Sequence, residues 1–166
     1  MTTRPPSDAV VALRSLGRRY RGLFAGLGDD ESPDDLAHRV GPDGEAALDH
    51  VVAATRTITL LSRALEQLLL EDDPILHPAV ADPGERSWEQ APPGTVEERL
   101  TELAWEADHL AERVERVATS DWQRTAAVAG SDRQVSTLAI VWDAVDSAVE
   151  RLKAAERTLA AVRGKG

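Results

Sequence analysis

The feature that most narrows the possible folds is the spacing of the apolar residues, which recur every three to four positions along four stretches separated by Pro and Gly. That is the period of an α-helix burying one face, whereas a half-buried strand would alternate. The first stretch, Asp8 to Leu27, carries Val10, Leu13, Leu16, Tyr20, Leu23 and Phe24 and is stopped by Gly26, Gly28 and Asp29. The second, about Gly44 to Glu71, carries Leu48, Val51, Val52, Thr55, Ile58, Ser62, Leu65 and Leu69 without an internal Gly or Pro. The third opens on Thr95 with Glu98 three residues on, a capping box in which hydroxyl and carboxylate satisfy free amides, and continues through Leu100, Leu103, Ala107, Leu110, Val114 and Val117. The fourth, about Arg133 to Val162, carries Val135, Leu138, Val141, Trp142, Val145, Val149, Leu152, Ala155, Leu159 and Val162. Nothing is left over for a sheet. The predicted fold is all-α, a four-helix bundle forming a single domain over residues 1–166.

The connections are unequal. Asp72 to Gly94, with Pro74, Pro78, Pro83, Pro92 and Pro93, is long for a structureless link and belongs to the class of lids, crossovers and binding loops. A crossover would let the second and third helices run the same way; a meandering antiparallel link is the alternative. Trp88 lies in this loop with His77 and Arg86, where it either closes over a pocket or anchors the loop. Trp105, at the edge of the third stripe, and Trp142, on the fourth, are read as core or interface packing.

Composition excludes several chemistries. The absence of cysteine removes disulfides, thiolate nucleophiles and thiolate zinc sites, so any metal must be held by His or carboxylate. With 19 basic against 29 acidic residues and a net charge of −10, the chain repels phosphate backbones and anionic lipid, so neither nucleic acid nor a membrane is expected as a partner. No apolar run approaches the roughly 20 residues of a membrane span, and MTTRPPSD lacks an apolar signal core, so a cytoplasmic location is expected. No phosphate loop, nucleophile elbow or zincin helix is present.

What remains is sparse. Of the 4 histidines (His38, His50, His77 and His109), His50 alone lies well inside the second helix, flanking its stripe. The fourth helix carries Asp143, Asp146 and Glu150, the last two stacked four residues apart. Periodicity puts these carboxylates toward the solvated face. Two carboxylates and a His from a neighbouring helix also make a workable ligand set for a divalent Fe, Mn, Ni or Zn.

Several segments together resemble the DinB and YfiT-like superfamily of metal-dependent four-helix bundles, in particular actinobacterial members related to mycothiol-dependent maleylpyruvate isomerase. RRYRGLFAGLGDDE resembles their first helix and its exit turn. ALDHVVAATRTITLLSRALEQLLLEDDP resembles their second helix, with the family His at His50. DWQRT (121–125) resembles the W-D-R segment before the last helix, and DSAVERL (146–152) falls on the final H-x-x-x-H-H-L. The resemblance implies a divalent ion held by His50, Asp146 and Glu150, with the last two standing where the family has His, and Arg151 where a second His is common. It implies thiol transfer, isomerisation or hydrolysis of a small molecule, and pairing into a homodimer, with which apolar margin residues such as Leu70 and Ile75 are compatible. The alternative is a metal-free relative that binds a small ligand or a protein partner.

Overall fold

The computed structural model describes residues 4–86 and 94–164; Trp88 lies outside the described residues. The elements are α1 (Pro6–Ala25), α2 (Pro33–His38), α3 (Ala47–Leu70), β1 (Ile75–Leu76), α4 (Pro78–Ala81), α5 (Val96–Glu115), β2 (Thr125–Val128), β3 (Gln134–Ser136) and α6 (Thr137–Arg163). The four stripes become α1, α3, α5 and α6. Four helices start where a side chain satisfies a free amide: Ser32 accepts from Asp35 N, His77 Nδ1 from Ala79 N, Thr95 from Glu98 N and Ser136 from Ala139 N. None of the described helices is long and apolar enough to cross a membrane.

Each of α1 and α3 packs against both α5 and α6. Ion pairs fix the directions. Arg14 with Glu115 and Arg21 with Glu97 make α1 antiparallel to α5. Thr55 beside Thr101 and Glu66 paired with Arg113 make α3 parallel to α5. Arg4 on Asp146 at one end of α1, and Leu23 and Phe24 against Leu159 and Val162 at the other, make α1 parallel to α6. The segment after α3 is therefore the crossover, returning the chain so that α3 and α5 run the same way.

That crossover is structured over its described part. Pro78 and Pro83 sit at positions that lack a hydrogen-bonding amide anyway, the first turn of α4 and of a 3-10 turn at Pro83–Glu85. Its end is pinned by Arg86, whose side chain is only 5% exposed and donates to the carbonyls of Ala79 and Val80 and to Asp143 Oδ2 at 2.7 Å.

The expectation that no residues remain for a sheet is corrected. β1 pairs parallel with β2, and β2 antiparallel with β3, in the order β1-β2-β3, with Ile75 opposite Ala127 and Ala126 opposite Val135. Strands of two to four residues are too short to show an alternating pattern, and the β2–β3 turn depends on Gly130 at φ +71°.

The core runs the length of the four long helices, through Leu13, Leu16, Tyr20, Ile58, Leu61, Leu65, Leu103, Leu110 and Ile140. The core half of the Trp105 reading and the core placement of Leu138 are corrected. Trp105 is 61% exposed and stacks on His109 one turn further along, with ring centroids 4.9 Å apart. Leu138 is only half-buried, because α6 turns Ile140, Val141 and the fully buried Ala144, Ala148 and Ala155 inward. Alanine lets neighbouring backbones approach closely, so the inner face of α6 is narrower than its bulky residues suggest. Leu70 and Ile75 are exposed.

Candidate functional site

The only group of three acidic or imidazole side chains close enough to share one ion, among the described residues, is Asp43, Glu45 and His50. Local sequence builds it. Between α2 and α3 the chain closes a tight loop through a bridge between Val40 and Ala46, with Gly41 N donating to the Glu45 carbonyl at 2.9 Å. Gly44 takes φ +85°, where a side chain would be strained. Gly41 passes so close to α6 that a Cβ there would lie 2.9 Å from Thr158 Cγ2. The Glu45 amide donates to Asp43 Oδ1, which fixes that carboxylate, and Asp49 accepts from the Ala46 amide, which fixes the start of α3. Asp43 and Glu45 are thereby held over the first turn of α3, where His50 stands.

The His50 side chain is 3% exposed, and its Nε2 makes no hydrogen bond. Nε2 faces Glu45 Oε2 at 3.3 Å and Asp43 Oδ2 at 3.6 Å. These separations are long for hydrogen bonds. They match the donor–donor edges, on the order of 3.3 Å, of a tetrahedron with bonds of about 2.0–2.2 Å to a central ion. A buried polar atom without a partner is costly unless something satisfies it. Asp43, Glu45 and His50 could therefore hold a metal ion. Burial, the largest influence, pulls the His50 pKa below its ordinary value; Glu45 and Asp43 oppose this and Arg151 adds to it. A neutral imidazole is the form that ligates.

The other ring nitrogen is engaged from α6. Arg151 donates through one guanidinium nitrogen to His50 Nδ1 at 3.1 Å, and the same nitrogen lies 3.4 Å from Glu45 Oε2. Leu152, the next residue, lines an open groove of about 490 Å³ between α1 and α6, together with Arg19, Leu23, Glu156 and Arg163.

The ligand set expected from the family pattern, His50 with Asp146 and Glu150, is not brought together: among the described residues the group that closes on His50 contains neither α6 carboxylate. Asp146 is exposed and held by both guanidinium nitrogens of Arg4 at 2.8 and 2.9 Å, while Arg4 itself lies 3.6 Å above the Trp142 ring. Glu150 is exposed. Asp143 serves the Arg86 pin and accepts from Ser147. The reason is helical phase: Arg151 faces α3, and the carboxylates one and five residues before it are turned away. Asp43 and Glu45 escaped the sequence reading because an acidic turn is ordinarily solvated. The available signal was the Pro42-Asp43-Gly44 turn, which folds its acid back toward the helix that follows.

A comparison with models of known protein families gives no match, and no curated protein matches the chain.

Proposed function

We propose that the chain is a DinB-like four-helix bundle that acts on a small molecule with the help of a divalent ion, Zn, Ni, Mn or Fe, held by Asp43, Glu45 and His50. The observation that carries this reading is the buried, unpartnered His50 Nε2 facing two carboxylates. The four long helices and the place of His50 in the first turn of α3 support it. When bound, such an ion supplies the acidity that turns a thiol or a water into a nucleophile near neutral pH. The chain's own contribution is to keep His50 neutral by burial and to bring two negative charges to its edge. The separate groove between α1 and α6, whose lining includes none of the three ligand residues, offers Arg19 and Glu156 as polar contacts for a small molecule. Exposed Leu70 and Ile75 support pairing of two copies as part of the same proposal.

The test is the thermal midpoint of protein purified without a His tag, measured with and without Zn, Ni or Mn. Ligand at one hundred times its dissociation constant adds about 2.7 kcal/mol to the native state. The rise is expected in the wild type and in the double variant Asp146→Asn, Glu150→Gln, and is lost in His50→Ala and in Asp43→Asn, Glu45→Gln. A second reading, the metal-free binding module, is favoured by the Arg151 contact to His50 Nδ1. It gains if no metal copurifies and none moves the wild-type midpoint.

A further inference from the structure

We infer that Arg151 and a divalent ion are alternative cations at His50, and that loading the ion releases the Arg151 guanidinium. This rests on the proposed metal reading. A guanidinium can only donate hydrogen bonds, so the Nδ1 that it meets at 3.1 Å is an acceptor, and the hydrogen of the neutral ring sits on Nε2. A ligating Nε2 carries no hydrogen; the ring hydrogen then sits on Nδ1 and points at the donating nitrogen of Arg151. Histidine ligands normally give that hydrogen to a carbonyl or a carboxylate, and here they would meet a donor instead. The contact and the coordination therefore exclude each other.

Glu45 repeats the competition. Its Oε2 lies 3.3 Å from His50 Nε2 and 3.4 Å from Arg151, so one oxygen serves either cation. Charge gives the same result. Asp43 and Glu45 carry two negative charges, which one guanidinium half-balances and a divalent ion balances fully. Arg151 contacts only Glu45 and His50 through its polar atoms among the described residues, and its side chain is 34% exposed, so nothing else holds it once that pairing is lost.

Two measurements test this. Calorimetric titration with zinc should show Arg151→Met binding roughly tenfold tighter than wild type, the penalty that a mostly closed resting form puts on apparent affinity. Phenylglyoxal modification of Arg151 in the wild-type protein, mapped by peptide mass, should be faster with zinc than without it. Zinc binding of equal strength in wild type and Arg151→Met, lost in both on His50→Ala substitution, would overturn the competition and leave the metal reading standing. Modification unaffected by zinc would overturn it without any variant. If neither protein binds zinc, the metal reading fails and this inference with it.

Discussion

Tyr20 is the 1 tyrosine of the chain, and it lies fully buried with its hydroxyl donating to the Ala148 carbonyl at 2.6 Å. Burial holds its phenol well above the ordinary range, with Arg151 and Arg19 acting in the opposite sense. A phenol whose pKa is raised by folding contributes stability in full below its unfolded value of about 10, and that contribution is lost as the pH rises above it. Absorbance titration of phenolate formation should therefore show no ionisation near pH 10 in the folded protein, and ionisation should coincide with loss of the helical signal. Tyr20→Phe removes the hydroxyl while preserving the packing. It should cost about 1 kcal/mol in urea denaturation and abolish the phenolate signal. A free titration near pH 10 with the fold intact would show that Tyr20 is not buried against α6.

At the scale of elements, the crossover is held by Arg86 more than by its own hydrogen bonds. Four-residue α4 and the 3-10 turn after it are too short to persist alone, and the guanidinium ties the Ala79 and Val80 carbonyls of α4 to Asp143 on α6. Arg86→Met keeps the aliphatic stem and removes the donors. It should destabilise the protein by roughly 2 kcal/mol, since it leaves buried carbonyls and a partly buried carboxylate without partners. Limited proteolysis should then give earlier cleavage between residues 77 and 86. Unchanged stability and an unchanged cleavage map would mean that β1, through its pairing with β2, carries the crossover by itself. The same logic explains α5, whose start at Thr95 was legible because capping is a local event between residues three apart.

For the molecule as a whole, α6 is the element on which everything else converges. It packs on α1 and α3, follows directly from β3, receives Arg4 and Arg86, and delivers Arg151 to His50. Val145 is 3% exposed on its inner face. Val145→Asp puts an unpaired charge into the core and should cost at least about 3 kcal/mol, a large share of the roughly 5–15 kcal/mol that keeps a domain folded. Urea denaturation followed by circular dichroism should show a markedly lower midpoint. Leu138→Ala should be milder than the 2–5 kcal/mol typical of a core leucine, since that side chain is half-buried. Comparable effects at both positions would mean that the helix is rotated from the face described.

The sequence by itself determined the four long helices, the Thr95 start of α5 and the presence of a long connection after α3, because each is written in periodicity or in contacts between residues a few positions apart. Only the tertiary structure decided the direction of α5 relative to α3, the three short strands, the solvent position of Trp105, and the company that His50 keeps. These depend on helical phase and on the approach of segments distant in the chain. A rotation of one residue, about 100° around a helix, is enough to present Arg151 to His50 in place of Glu150, and no count of spacings resolves it. The two carboxylates that do reach His50 come from a loop whose shape rests on Gly44 and on the bridge from Val40 to Ala46. Their place over the imidazole became visible only once that loop was closed against α6.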